Sequence, residues 1–174
     1  MQIRQAKVLD ALAIARVHVD AWRSTYEGII PDEYLHKLSY EGRTKLWLEN
    51  LKTDIVFVAL NDRHEIVGFA TAGVKKTKGY DVFQGELYAI YILKEYQGMS
   101  IGKQLLHKVV EHLKTLEINS MVVLVLKKNP AVQFYKSLYA RKIDSLTISI
   151  AGKTLQEEVY GWEDLEPLLE GNKQ

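Results

Sequence analysis

Apolar and polar residues recur with two different periods along this chain, and the switches between them mark out its elements. Gln2 to Lys7 predicts a short strand. Asp10 stands where an N-cap belongs, ahead of a predicted helix from Ala11 to about Trp22. Within that helix Ile14, Val17 and Ala21 form one apolar stripe, and Leu12, Ala15, Val19 and Trp22 form another beside it. Gly28-Ile29-Ile30-Pro31 breaks the pattern, Asp32 is placed to cap a short helix through Leu38, and a third helical stretch runs from Tyr40 to Leu51. The period then changes. Ile55–Leu60 and Ile66–Val74 are β-rich runs joined by the polar segment Asn61-Asp62-Arg63-His64, which suits a hairpin. Gly79 to Gly85 reads as loop and Glu86 to Leu93 as a strand.

The strongest helical pattern runs from Ile101 to about Leu116. Ile101, Leu105, Leu106, Val109, Val110 and Leu113 share one face, opposite Lys103, His107, Lys108, Glu111 and Lys114. Met121–Leu126 is continuously apolar, as expected of a strand covered on both faces. Strand, helix and buried strand make a βαβ unit, hence a parallel pair. Asn129-Pro130 opens a further helix to about Leu138, and Ile143–Ile150 and Lys153–Tyr160 form a second hairpin across Ala151-Gly152. The order β-α-α-α-β-β-β-α-β-α-β-β implies an α/β fold with a mixed sheet of about seven strands. The tail after Trp162 is polar and acidic and is expected to add little.

Composition narrows the function. The 174 residues fit one domain, and no repeat or Pro-rich linker divides them. Lys plus Arg number 23 against 22 Asp plus Glu, a net charge of +1, which lacks the basic surplus of a nucleic-acid binder. The absence of cysteine removes disulfides, thiolate metal sites and a thiol nucleophile. No secretory leader or membrane-spanning run is evident, so a cytoplasmic protein with no membrane partner is expected. His107 and His112 miss the i,i+4 spacing of a helical metal pair, and no metal is expected.

The chemistry concentrates in Tyr91-Ile92-Leu93-Lys94-Glu95-Tyr96-Gln97-Gly98-Met99-Ser100-Ile101-Gly102-Lys103. A loop with Gly98, Ser100 and Gly102 at the head of a helix can aim several backbone N–H groups at one anion, where the helix dipole adds to the attraction. Lys103 and Gln97 can add side-chain donors. A nucleotide P-loop is excluded because three residues, not four, separate Gly98 from Gly102-Lys103. A dinucleotide fingerprint fails because the next strand ends in Lys127-Lys128 rather than an acid. Gly98-Met99-Ser100-Ile101-Gly102 also matches the serine-hydrolase elbow. Its histidine partner should come later in the chain, yet the last histidine, His112, lies on the very helix that follows.

The loop resembles the acetyl-CoA signature Gln/Arg-x-x-Gly-x-Gly/Ala of the GCN5-related N-acetyltransferase (GNAT) superfamily, with Gln97, Ser100 and Gly102 aligned and serine replacing the usual glycine at 100. The run Glu86–Ile92 is similar to the preceding strand of that family, and Asn129-Pro130-Ala131-Val132-Gln133-Phe134-Tyr135 to its later Phe-Tyr helix. The resemblance implies the family fold, with splayed parallel central strands, and transfer of acetyl from acetyl-CoA to a primary amine of a small molecule or peptide. It implies that the backbone of Tyr91 and Ile92 pairs with the cofactor arm, and that Gln97, Gly98, Ser100, Gly102, Lys103 and Asn129 complete the cofactor site. Asn129 would suit capping of its helix equally well. Glu86 is the expected general base and Tyr135 the expected general acid. Trp22, Tyr26 and Tyr34 are expected to wall the acceptor pocket, with His18 or Glu27 meeting a polar amine. Such enzymes are often homodimers. A non-catalytic acyl-CoA sensor and, less favoured, a serine hydrolase at Ser100 are the alternatives.

Overall fold

Helix α4 (Ile101–Thr115) buries the face its sequence marks out: Ile101, Leu105, Leu106, Val109, Val110 and Leu113 are all removed from solvent. They pack on a seven-stranded sheet, ordered β1-β2-β3-β4-β5-β7-β6, in a computed structural model that describes residues 1–170. The strands are β1 (Gln2–Gln5), β2 (Val56–Leu60), β3 (Ile66–Val74), β4 (Gly85–Ile92), β5 (Met121–Leu126), β6 (Arg141–Ile150) and β7 (Lys153–Trp162). Helix α5 (Ala131–Ser137) joins α4 on one face, while α1 (Ala11–Tyr26), α2 (Asp32–Lys37) and α3 (Tyr40–Asn50) cover the other. Among the described residues no helix is long and apolar enough to cross a membrane.

The turns follow local chemistry. Asn61 Oδ1 accepts the N–H groups of Arg63 and Glu65, closing the β2–β3 hairpin. Ala151 and Gly152 both take positive φ, 49° and 79°, the geometry a two-residue hairpin needs.

Several expectations are corrected. Helix α1 continues a turn beyond Trp22 to Tyr26, and Leu12, assigned to its apolar stripe, is 47% exposed. Asp10 does not cap α1; its carboxylate accepts the Lys7 N–H at 2.7 Å and two Arg4 nitrogens at 2.7 and 3.0 Å, closing a separate 3₁₀ turn. Asp32 lies inside α2 and caps nothing, whereas Ser39 Oγ caps α3 by accepting the Gly42 N–H. The tail contributes more than expected. Leu165 is fully buried, and α6 (Glu166–Glu170) sets Leu168 and Leu169 against the core beneath α4, with Glu166 paired to Lys114 at 2.8 Å. The last part of that tail, 171–174, lies outside the described residues.

Two features of β4 position the site. Its parallel pairing with β5 is confined to Gly85↔Met121 and Glu86↔Val122, after which the strands part. On its other edge β4 pairs with β3, but Thr71 faces Ala89 while Ala72 faces Leu87, so Tyr88 is an extra residue. This β-bulge resets the alternation of side chains. Leu87 packs under α4 before it; Ile90 and Ile92 do so after it, while Ala89 and Tyr91 face α1.

Candidate active site

The head of α4 presents unclaimed backbone donors. Gly98 has φ 78° and Ser100 φ 59°, so the chain turns through left-handed conformations immediately before the helix. Among the described residues none of the N–H groups from Gly98 to Lys103 finds an acceptor, and Ser100 offers no side-chain cap. The next N–H, of Gln104, donates to Ser100 O at 3.2 Å. Exposed N–H groups at a helix start are an anion site ready made. Lys103 is exposed and makes no ion pair among the described residues. Gln97 Nε2 donates to Ile92 O at 3.0 Å and ties the loop back to the end of β4. Gly102 is required for close packing, since a Cβ there would stand 3.1 Å from the Phe134 ring and 3.5 Å from Ile92 Cδ1.

From that loop the gap between β4 and β5 opens. Leu93 N–H donates to Val67 O, so by antiparallel alternation Tyr91 turns its own N–H and C=O toward β3. Ile90 and Ile92 therefore direct theirs away from β3, toward the gap. The Ile92 backbone thus borders the gap, whereas the Tyr91 backbone belongs to the sheet and its side chain faces α1.

A chain of hydroxyl and amide groups crosses between the two sides. Asn129 Nδ2 donates to Tyr26 Oη at 3.2 Å, and the Tyr26 and Tyr91 hydroxyls lie 3.1 Å apart. Asn129 Oδ1 meanwhile accepts the Ala131 N–H at 2.8 Å, so this residue caps α5 and anchors Tyr26. Burial raises the pKa of all three neighbouring tyrosines, Tyr26, Tyr91 and Tyr135. Tyr135 is 4% exposed and its hydroxyl donates to no protein group among the described residues. It is a protonated hydroxyl with its hydrogen bond unspent.

On the α1 side of β4 lies a cavity of about 330 Å³ lined by His18, Trp22, Trp47, Glu86, Tyr88 and Tyr91, among others. His18 is 8% exposed; its Nδ1 accepts the Trp47 indole N–H at 3.1 Å, which leaves its single proton on Nε2. Burial, then the charge of Arg43, lowers the His18 pKa to about 4. Trp22 Nε1 is buried without a hydrogen-bond partner. Of the expected wall, Trp22 lines the cavity, Tyr26 is buried in the hydroxyl chain, and half-buried Tyr34 stands behind Trp22 with ring centroids 6.4 Å apart. Glu27 is exposed.

Glu86 lines the same cavity but is not a free carboxylate. Its Oε2 accepts the N–H groups of Lys76 and Thr77 at 2.9 and 2.8 Å, and its Oε1 accepts the Thr77 hydroxyl at 2.9 Å. These bonds secure the turn after β3 and occupy most of the four or so lone-pair positions a carboxylate has. Among the described residues no group of three or more His, Asp or Glu side chains gathers as a metal site.

The family description "Acetyltransferase (GNAT) family" matches residues 16–138. The chain is also 40% identical over 168 residues to the uncharacterized N-acetyltransferase YuaI of Bacillus subtilis (strain 168), covering 95% of both chains. The chain belongs to the GNAT family. Solved structures share the GNAT fold. Ribosomal-protein-alanine N-acetyltransferase from Brucella melitensis superposes with TM-score 0.72 at 22% identity, covering 93% of this chain and 99% of that one. PaiA N-acetyltransferase from Thermoplasma acidophilum, solved in complex with coenzyme A, gives 0.64 at 23% identity, covering 91% and 98%. For this GNAT chain the hydroxyl of Tyr91 and the bulge at Tyr88 are the site features sequence reasoning missed. The first depends on the second, because strand residues three apart stand on opposite faces unless a bulge intervenes. The second leaves no trace in an evenly apolar strand.

Proposed function

We infer that this GNAT protein transfers the acetyl group of acetyl-CoA directly to a primary amine. The observation that carries the reading is the run of unclaimed N–H groups from Gly98 to Lys103 at the mouth of the β4–β5 gap. Those groups and the Lys103 ammonium would hold the diphosphate, and the gap-facing amides of Ile90 and Ile92, with the Ile90 carbonyl, would pair with the amide chain of the pantetheine arm. Bound there, acetyl-CoA supplies an activated acyl carbon, and the transfer forms the N–C bond as the C–S bond breaks.

The chain's own part is to present donors and manage protons. The Ile92 N–H is the candidate partner for charge developing on the thioester oxygen. Tyr135, kept protonated by burial, supplies the proton to the departing thiolate. The amine must be neutral to attack, because an ammonium has no lone pair. Glu86, with three donors already bound, takes that proton through a water rather than directly. Trp22 bounds the acceptor side, and Tyr26 and Asn129 fix the hydroxyl chain behind it.

The test is thermal unfolding with acetyl-CoA followed by thiol-release assays on a panel of amines. Saturating ligand raises the unfolding temperature by mass action. No stabilisation at millimolar acetyl-CoA refutes the reading. Stabilisation without thiol release on any amine identifies a protein that binds the coenzyme without turning it over.

A further inference from the structure

One cation already sits in the acceptor cavity. Lys76 Nζ lies 4.0 Å from the centroid of the Tyr88 ring and 3.4 Å from Asp54 Oδ2, and all three residues line the cavity with Glu86. The arrangement is loose on the lysine side. The Lys76 side chain is 61% exposed, whereas that of Asp54 is 18% exposed. Other lysine–carboxylate pairs close to 2.6–2.8 Å, as in Lys142–Glu158 and Lys37–Glu33. Asp54 has one further contact, a Thr53 hydroxyl at 3.3 Å. This partly buried carboxylate is therefore incompletely satisfied, and it faces a ring able to hold a cation.

The surroundings select for positive charge. Asp54 and Glu86 together raise the Tyr88 pKa, after burial, to about 12, so the field at that ring is negative. His18 is neutral near pH 7 and does not oppose it. Among the described residues Lys76 is the one lysine or arginine in the lining, and the nearest other guanidinium named, Arg43, lies over the Trp22 ring at 5.6 Å. Trp22, Trp47 and Tyr91 supply apolar walls between this end and the gap.

We propose that Asp54 and the Tyr88 ring form a cation subsite, filled by Lys76 in the free protein and by the distal ammonium of a dicationic aliphatic amine when the acceptor binds. The proposal rests on the transferase reading and deepens it by naming the acceptor class. Lys76 acts as a built-in competitor: it shields Asp54 until a substrate with a second charge displaces it, and an amine with one charge has no means to do so. The backbone of Lys76 stays in place, because its N–H is held by Glu86.

The experiment compares 1,4-diaminobutane with n-pentylamine, chains of similar length bearing two charges and one. Initial rates of thiol release from acetyl-CoA give the ratio of kcat/KM for the two amines. We expect a wild-type ratio of about tenfold or more, the range of one good ion or cation–π contact. Asp54→Asn brings the ratio toward one, and Lys76→Ala raises it severalfold. Tyr88→Leu, which removes the ring, serves as a second loss-of-subsite variant should Asp54→Asn fail to fold. A wild-type ratio near one, or a ratio that falls in Lys76→Ala, overturns the subsite. Thermal stabilisation by acetyl-CoA without turnover of either amine overturns the acceptor class and leaves the coenzyme site standing. Absence of stabilisation overturns the transferase reading itself.

Discussion

Replacing Ser100 with glycine should make this protein more stable without altering its grip on coenzyme. Ser100 sits at φ 59°, ψ 9°, in the left-handed region, where a Cβ crowds the following carbonyl at a cost of about 1–2 kcal/mol. Its side chain caps nothing, so loss of the hydroxyl forfeits no hydrogen bond within the helix. Glycine removes the crowding but adds about 0.5–1 kcal/mol of backbone freedom to the unfolded chain. The balance is a gain of about 0.5–1 kcal/mol. For a chain of this size that corresponds to about 1–4 °C in the midpoint of thermal unfolding. Urea titration followed by circular dichroism should show the same gain at an unchanged slope, since the surface exposed on unfolding is unaltered. Isothermal titration with acetyl-CoA should give a Kd within about twofold of wild type, the donors being main-chain atoms. Ser100→Val provides the opposite sign, because a β-branched residue tolerates positive φ less well than serine. A destabilised Ser100→Gly, or a stabilised Ser100→Val, would refute the left-handed turn and the array of N–H groups derived from it.

Three further outcomes are expected. Tyr135→Phe should lower kcat by about 10²-fold, the scale of a lost general acid, with acetyl-CoA affinity unchanged by titration; a collapse in affinity at unchanged kcat would make it a binding residue. Gly102→Val should destabilise by about 1–3 kcal/mol in denaturant, because Phe134 stands 3.1 Å from the position of its Cβ and must yield, and it should weaken acetyl-CoA binding in the same titration. His18 binds its proton more weakly in the folded chain than in the unfolded one, so its contribution is intact above the ordinary imidazole pKa and is lost as pH falls from about 6.5 toward 4. That loss amounts to about 3 kcal/mol at most. His18→Gln should flatten this part of the stability–pH curve relative to wild type, and identical curves would show that the ring is not buried neutral.

Helix α4 and strand β5 were readable because their periods coincide with what the fold requires, one apolar stripe and one run covered on both faces. The turn ahead of α4 was readable because Gly98 and Ser100 are small residues placed where the chain takes positive φ. What escaped depends on partners far away in sequence. Nothing in Glu86 itself announces that Lys76 and Thr77 would take up its carboxylate. The ladder partner of Tyr91 is settled by the bulge at Tyr88, which an apolar run conceals. The end of α1 was placed early because Ser24 and Thr25 are weak helix formers, whereas burial of Tyr26 carries the helix through them. The tail was undervalued because Leu165, Leu168 and Leu169 are interspersed with acids that face solvent.

The extra residue at position 88 also gives β4 slack to absorb the loss of one residue. Deleting Tyr88 would restore plain alternation and leave Leu87 opposite Ala72 and Ala89 opposite Thr71, so nothing downstream would change face. Ala89 and Tyr91 would still look toward α1, and Ile90 and Ile92 toward α4. The amides of Ile90 and Ile92 would likewise go on pointing away from β3. A single codon's loss would thus cost the strand one aromatic ring, and the cation resting on it, while sparing the weave around them.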